Sequence, residues 1–197
     1  MGSPAGQSVN GTAKGQPLVI VVMGVSGCGK STVAGHIAHQ LRDAGLDVHC
    51  KDGDELHPAS NIEKMARGIP LDDQDRQPWL DALTDYAREK ARQHGRCVIA
   101  CSALKKRYRQ TINSAGNVVY IYLVGSYELI ASRMHQRTGH FMPDTLLDSQ
   151  FATLEDPVGE LNVLPVSIEH DPVSIARDAV ESLSKHRYLC PIKPPSV

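Results

Sequence analysis

Short apolar runs alternate with longer amphipathic stretches from residue 17 onward. The run at 18–23 is entirely apolar, and after it Val33, Ile37, Ala38 and Leu41 recur at the spacing of one helical face. Such alternation is typical of an α/β fold with a parallel sheet. The pattern predicts five strands, at 18–23, 48–51, 97–101, 118–124 and 163–168.

Helices are predicted between these strands and after the last one. They cover 30–44, 61–67, 74–94, 105–113, 127–136, 143–153 and 172–185. Residues 1–16 are rich in Gly, Ser, Ala and Asn, so we expect a disordered tail there. Residues 187–197 contain three prolines and are expected to be extended. A chain of 197 residues fits one domain, which we place at 17–186.

A glycine-rich string directly follows the first apolar run. It is a complete G-x-x-x-x-G-K-S motif: Gly24, Val25, Ser26, Gly27, Cys28, Gly29, Lys30, Ser31. Backbone N–H groups of such a loop bind phosphates at a helix N-terminus. Lys30 is then expected to bridge the β- and γ-phosphates, and Ser31 to offer its hydroxyl to Mg²⁺. The alternative, a simple glycine-rich turn, is disfavoured by the strand before it and the helix after it.

Two carboxylates, Asp52 and Asp54, follow the second predicted strand. Ligands of open parallel sheets bind beyond the carboxyl ends of the strands, so both acids are expected to face the triphosphate. Asp52 would help to hold the Mg²⁺ shell through water, and Asp54 would accept the proton of an attacking hydroxyl. The alternative is a solvated turn, because Asp-Gly is a common turn pair.

Four cations lie within five residues after the third predicted strand: Lys105, Lys106, Arg107 and Arg109. Positive charge at a helix N-terminus opposes the helix dipole, so an anion is expected nearby. Solvated surface charge is the alternative for each of them. Lys105 is nearest to the strand end and is the preferred ligand for a substrate carboxylate or phosphate.

Two arginines lie on the helix after the fourth predicted strand. Arg133 and Arg137 are four residues apart and share one helical face, while Gly139 and Pro143 predict that the helix ends in a mobile flap. Arginines from such a lid can neutralise a transferring phosphoryl group. We expect Arg137 to act in catalysis and Arg133 to bind the nucleotide; an exposed helix face is the alternative.

Composition narrows the class of partner and the compartment. The formal net charge is −1, so nothing in the overall balance attracts nucleic acid or an acidic membrane, and small-molecule partners are expected. Five cysteines without a C-x-x-C pair argue against a disulfide framework or a zinc site and fit a reducing, cytoplasmic compartment. No apolar stretch has transmembrane length, and the N-terminus lacks the order of a signal peptide.

Several strings after the glycine-rich loop are specific when taken together. They are Asp52-Gly53-Asp54 with His57-Pro58, Asn61-Ile62-Glu63-Lys64-Met65, Asp72-Asp73-Gln74-Asp75-Arg76 with Pro78-Trp79-Leu80, Cys101-Ser102-Ala103-Leu104-Lys105-Lys106, Gly139-His140-Phe141-Met142 and Gln150-Phe151. In this order the chain strongly resembles the gluconokinases of the nucleoside-monophosphate-kinase-like P-loop group, over roughly residues 17–185.

The resemblance implies a three-layer P-loop kinase fold with a five-stranded parallel sheet and a short lid. It also implies ATP-dependent phosphorylation of D-gluconate to 6-phospho-D-gluconate, with Mg²⁺, in a cytoplasmic homodimer. Candidate substrate ligands are Asp54, His57, Arg76, Lys105 and His140. Arg76 could form the bidentate pair that a carboxylate favours, and Trp79 is expected to anchor the core rather than to stack on a sugar.

Two other functions stay open on the residues alone. A kinase of shikimate-kinase type shares the P-loop and the D-x-D, but it carries a glycine triplet where this chain has Ser102, Ala103 and Leu104. A nucleotide-binding module that has lost catalysis would be expected to have dropped a site residue. The candidate residues are all present: Lys30, Ser31, Asp54, Arg133 and Arg137.

Overall fold

The computed structural model describes residues 16–67, 69–135 and 144–189. Within these ranges one parallel sheet contains five strands: β1 (Leu18–Met23), β2 (His49–Asp52), β3 (Arg96–Ala100), β4 (Val118–Val124) and β5 (Val163–Ser167). Their order is β2-β3-β1-β4-β5. Val22 near the end of the central strand β1 lies opposite Ala100 of β3 and Ile121 of β4. The carboxyl ends of the central strands therefore meet at one edge of the sheet.

Seven α-helices connect and flank these strands in the described part of the chain. They are α1 (Lys30–Asp43), α2 (Ala59–Ala66), α3 (Asp73–His94), α4 (Lys106–Asn113), α5 (Tyr127–His135), α6 (Asp144–Thr153) and α7 (Pro172–Lys185). A short 3₁₀ helix, Gly53–Leu56, follows β2 directly. The fold is thus the predicted three-layer α/β arrangement.

The two faces of the sheet bury separate apolar layers. Ile20 and Val22 point to a core shared with α1 and α7, whereas Val19 and Val21 point to a core shared with α3 and α4. All six residues of β1 are buried, as expected for a strand covered by helices on both faces. This double cover fixes the position of the loop that leaves β1.

Side-chain caps set where two of the flanking helices begin. The Asp72 carboxylate accepts a hydrogen bond from the Asp75 N–H, and the Asp75 carboxylate accepts one from the Asp72 N–H, which forms a capping box before α3. The Asp171 carboxylate caps α7 by accepting hydrogen bonds from the Val173 and Ser174 N–H groups, ahead of Pro172 at the first position of the helix. The capping box of α3 matters for function because it fixes the first turn of this helix near the carboxyl ends of the strands.

The predicted elements are confirmed, with bounds that differ by at most two residues. β2 extends to Asp52, which caps the 3₁₀ helix, and α4 begins one residue later than predicted because Lys105 is its N-cap. Leu189, beyond α7, is buried against the core. Residues 1–15 and 190–197 lie outside the described residues, so the two tails stay predictions. No helix in the described ranges has the length and apolar character to cross a membrane.

Arg109 is the one arginine that the described structure buries, with 1% of its surface exposed. Its guanidinium donates to both carboxylate oxygens of Glu160, at 3.0 and 2.6 Å. It also donates to the carbonyl oxygens of Ala103, Leu104 and Glu155. This cation of the 105–109 group therefore braces the loop after β3 and does not face a ligand.

Arg109→Leu is expected to lower the free energy of unfolding by about 3–5 kcal/mol, because it leaves the Glu160 carboxylate and the carbonyl oxygens of Ala103 and Glu155 without this donor. Arg107→Leu is the matched control, since Arg107 is half exposed and its guanidinium contacts only the Asp73 carboxylate and the face of the Tyr108 ring among the described residues. That control should cost about 0–1 kcal/mol. Urea denaturation of both variants measures the difference, and equal losses would contradict the structural role of Arg109.

Candidate active site

The loop between β1 and α1 has the shape of a phosphate cradle. Gly27 adopts a φ of +83°, and a Cβ there would lie 2.6 Å from Cγ of Met134 on α5. A side chain at this position would therefore be strained and would collide with α5. Glycine lets the loop pass beneath α5 and reach the N-terminus of α1, where backbone N–H groups and the helix dipole favour an anion.

Lys30 and Ser31 begin α1 and face a cleft. The cleft is lined by Ser26, Gly27, Gly29, Lys30, Ser31, Thr32, Asp52, Asp54 and Ala100. The Lys30 ammonium lies over the loop and donates a 3.1 Å hydrogen bond to the Val25 carbonyl oxygen. It is half-buried, and this one bond can exchange for a phosphate. The cleft thus joins the predicted phosphate loop to both predicted acids.

Asp52 connects the loop to the end of β2. Its Oδ2 accepts a 2.5 Å hydrogen bond from Ser31 Oγ, and its Oδ1 accepts a 3.0 Å bond from the Asp54 N–H. The second bond closes an Asx-type turn, so the turn that the sequence analysis gave as an alternative is present. Because the first bond is also present, the same Asp52 carboxylate both forms the turn and contacts the phosphate loop.

Gly53 allows this turn to lie against the sheet. A Cβ at Gly53 would be 2.5 Å from the Ala100 carbonyl oxygen of β3. The turn therefore packs directly on β3, and its neighbour Asp54 is exposed in the cleft. Close packing of the backbone places Asp54 in the cleft that the phosphate loop also lines, without burying it.

The oxygen atoms at this point suit a magnesium ion. Ser31 Oγ and the Asp52 carboxylate are hard donors in contact with each other, and Mg²⁺ is usually held by one or two such groups, with phosphates and water completing its shell. Across residues 16–67, 69–135 and 144–189, no group of three or more His, Cys, Asp or Glu is placed to hold a metal ion. The two oxygen donors of Ser31 and Asp52 fit an ion that is also held by the phosphates of a nucleotide.

His57 lies beside the acids, stacked on Trp79. The two ring centroids are 4.3 Å apart and the planes differ by 12°. Trp79 is 2% exposed and donates from Nε1 to the Gly53 carbonyl oxygen at 2.8 Å, which confirms it as a core anchor. Burial lowers the pKa of His57; the Asp54 charge opposes this change and the Arg76 charge adds to it. The charges of Asp54 and Arg76 therefore both act on the His57 ring.

Lys105 pairs with a carboxylate of the protein. Its ammonium lies 3.0 and 3.2 Å from the two Asp73 oxygens, and Asp73 also accepts from Tyr108 and Arg107. Asp73 is the first residue of α3, one turn before Arg76. Carboxylates of the protein are thus the anions beside three of the four cations. Asp73 pairs with Lys105 and Arg107, and Glu160 pairs with Arg109. A substrate carboxylate at Lys105 would compete with Asp73.

Arg133 anchors α5 to the segment after β5. Its Nη2 donates to the Ile168 and His170 carbonyl oxygens at 2.5 and 3.3 Å. Arg137 and His140 lie outside the described residues, as does the predicted flap, so their roles stay predictions from the sequence.

Gln150 is a site contact that the residue pattern did not identify. From α6 its Oε1 accepts a 2.7 Å hydrogen bond from the Ser26 N–H of the phosphate loop. The two residues are 124 positions apart, so only the Gln150-Phe151 string of the resemblance pointed to this place. Asp73, which pairs with Lys105 from 32 positions away, was missed for the same reason.

Neither cysteine near the cleft is a candidate nucleophile. Burial raises the pKa of the Cys28 thiol, although Lys30 opposes the change. Burial also raises the pKa of Cys101, to about 12. Both thiols stay protonated at neutral pH, so Cys28 can serve a phosphate only through its backbone.

Comparison with known proteins supports a kinase site. A family model for adenylylsulphate kinase matches residues 16–137. The chain is 46% identical over 169 residues to the thermoresistant gluconokinase of Escherichia coli (strain K12), covering 85% of this chain and 94% of that protein. These similarities reach well beyond the phosphate loop.

Solved structures agree with this result. A gluconokinase from Sinorhizobium meliloti 1021 is similar with a TM-score of 0.75 and 43% identity, covering 86% of this chain and 93% of that one. A shikimate kinase from Aquifex aeolicus vf5 has a TM-score of 0.53 and 16% identity, covering 86% and 98% of the two chains. The second likeness shows a shared fold alone.

Proposed function

Because this chain belongs to the gluconokinase family, within the wider group of P-loop kinases, we propose that it transfers the γ-phosphoryl group of ATP to D-gluconate and forms 6-phospho-D-gluconate. The observation that carries this proposal is the cleft itself, which the phosphate loop, the Ser31–Asp52 contact and Asp54 line together. The identity of the acceptor rests on the gluconokinase relatives.

Nucleotide binding is assigned to the loop from Gly24 to Ser31. Its N–H groups and the α1 N-terminus hold the phosphates, and Lys30 exchanges its bond to the Val25 carbonyl oxygen for the β- and γ-phosphates. Ser31 and Asp52 would hold a magnesium ion. When bound, that ion neutralises charge on the phosphates. Arg133, and Arg137 from outside the described residues, are proposed to complete the phosphate site.

Asp54 is proposed to accept the proton of the attacking hydroxyl. It is exposed in the cleft, and its hydrogen bonds among the described residues are made by its backbone N–H and carbonyl oxygen, not by its carboxylate. Its carboxylate is therefore available to a substrate. In-line transfer needs mainly positioning and charge stabilisation, so the base must be near the hydroxyl rather than strongly basic.

The sugar acid is proposed to lie between the 3₁₀ helix and the first turn of α3. His57 and Arg76 share this region with Asp54, and Lys105 is joined to the same turn through Asp73. Arg76 offers the planar fork that a carboxylate binds best. His140, outside the described residues, remains a further proposed ligand.

Release of ADP with a panel of acceptors tests the proposal. Gluconate should support the highest kcat/KM, and shikimate, adenylyl sulfate and buffer alone should give little ADP. Preference for adenylyl sulfate would favour the function named by the family model. Slow ADP release that no acceptor stimulates would favour a module without kinase activity.

Asp52→Asn is expected to raise the Mg²⁺ concentration needed for half-maximal rate, and excess metal should restore part of the activity. The reason is that an amide keeps the shape of Asp52 but removes the charge that would attract the ion. Rate measurements across a magnesium titration check this. A uniform loss of rate at every metal concentration would contradict a role in holding the ion.

We also propose that the protein acts as a cytoplasmic homodimer with one kinase domain at 17–186. The compartment is supported by four free thiols among the described residues, Cys28, Cys50, Cys97 and Cys101. The dimer is supported only by the family resemblance. Size-exclusion chromatography with light scattering measures the mass of the protein in solution. A monomer at the concentration used in the kinetic assays would contradict the dimer.

A further inference from the structure

His57 has one ring nitrogen held by the protein and one available. Its Nδ1 lies 3.2 Å from Nδ2 of Asn61, a residue of α2. Its Nε2 forms no hydrogen bond with any group in the described ranges. The ring is half-buried and fixed by stacking on Trp79, so the position of its proton decides what it can offer a ligand.

The Asn61 amide is oriented by a second contact. The same Nδ2 donates a 2.9 Å hydrogen bond to the Asp75 carbonyl oxygen, and Asn61 is 2% exposed. Turning the amide around would place its oxygen against a carbonyl oxygen and leave the buried NH₂ group without these acceptors. The NH₂ group therefore faces His57, and Nδ1 of His57 must accept.

We propose that Asn61 is a positioning residue that holds His57 with its proton on Nε2, so that His57 donates a hydrogen bond to an oxygen of the sugar acid. This inference rests on the proposed function for the identity of the acceptor. The contact between Asn61 and His57 itself needs no substrate, and it can be measured alone.

Burial keeps the His57 ring neutral, and the charges of its neighbours act on its pKa in opposite directions. Burial lowers its pKa, Arg76 on α3 lowers it further, and Asp54 of the 3₁₀ helix raises it. On the third neighbouring element, α2, the facing group is the neutral Asn61 amide. A neutral ring with Nδ1 as acceptor has one N–H, on Nε2, and a sugar acid is rich in oxygen acceptors for it.

Two sets of variants separate the tautomer from simple structural support. Asn61→Asp replaces the donor by a carboxylate, which favours a proton on Nδ1. His57→Gln keeps an N–H near the position of Nε2, whereas His57→Asn keeps one near Nδ1. The two His57 variants leave Asn61 and its bond to Asp75 intact. Comparing them therefore tests which ring nitrogen donates to the substrate, even where Asn61→Asp does not fold.

Nitrogen NMR of the full chain at neutral pH reads the proton directly, with His57 identified by the signals lost in His57→Gln. We expect an unprotonated Nδ1 and a protonated Nε2, and a protonated Nδ1 in Asn61→Asp. The KM for gluconate should rise about tenfold in Asn61→Asp, with kcat and the KM for ATP within about threefold. His57→Gln should keep a lower KM for gluconate than His57→Asn.

A protonated Nδ1 in the unsubstituted protein, or a lower KM for His57→Asn than for His57→Gln, would overturn the proposal. An unchanged tautomer in Asn61→Asp would do so as well. Failure of the unsubstituted protein to phosphorylate gluconate would instead remove the proposed function, and the NMR result would still decide whether Asn61 sets the proton position.

Discussion

Lys30→Ala is expected to lower kcat at least about a hundredfold while the fold stays intact. The Lys30 ammonium is the cation over the phosphate cradle, and its charge is needed most as negative charge moves onto the departing phosphate. Its single hydrogen bond in the described structure, to the Val25 carbonyl oxygen, contributes little to stability. Steady-state kinetics with saturating ATP and gluconate measure the loss.

Lys185→Ala is the matched control for this variant. Lys185 ends α7, its side chain is 75% exposed, and it lies outside the residues that line the cleft. Its removal should leave kcat unchanged. Circular dichroism and thermal unfolding of both variants confirm the fold, and normal turnover in a folded Lys30→Ala protein would refute the phosphate-binding assignment.

Asp54→Asn is expected to lower kcat by about a hundredfold or more while ATP affinity survives. The amide has nearly the same shape and can still hydrogen-bond a hydroxyl, but it has no basic oxygen. Because the Asp54 N–H and not its carboxylate makes the contact with Asp52, the turn should persist in the variant. Calorimetric titration with ATP, beside kinetics with gluconate, separates binding from chemistry.

The two acids can be assigned by their response to metal. Excess Mg²⁺ should not restore activity to Asp54→Asn, whereas it should restore part of the activity of Asp52→Asn. Rescue of Asp54→Asn alone would reverse the two roles. Full activity in both variants would mean that the turn is only a solvated cap.

Local patterns were enough to predict the elements of this fold. The apolar run of β1 and the helical spacing of α1 are properties of neighbouring residues, and the P-loop string needs only those two elements to position it. The rule that ligands bind beyond the strand ends then located Asp52 and Asp54 correctly at the cleft.

Contacts between residues that are distant in the sequence were not predictable from such local patterns. Arg109 resembled its neighbours as a surface cation, but Glu160, 51 residues away, makes it a buried brace. Lys105 is paired with Asp73, 32 residues earlier. Asn61 appeared only as part of a family string, because its effect on His57 depends on how α2 packs against α3. These roles arise from tertiary packing.

Phosphorus NMR of the product formed from ATP and gluconate tests the central claim most directly. We expect a new phosphate ester whose signal is split into a triplet by the two protons of the terminal carbon, appearing as ADP accumulates. A doublet would place the phosphate on a secondary hydroxyl. Inorganic phosphate as the only product would show hydrolysis without transfer, and that result would contradict the account.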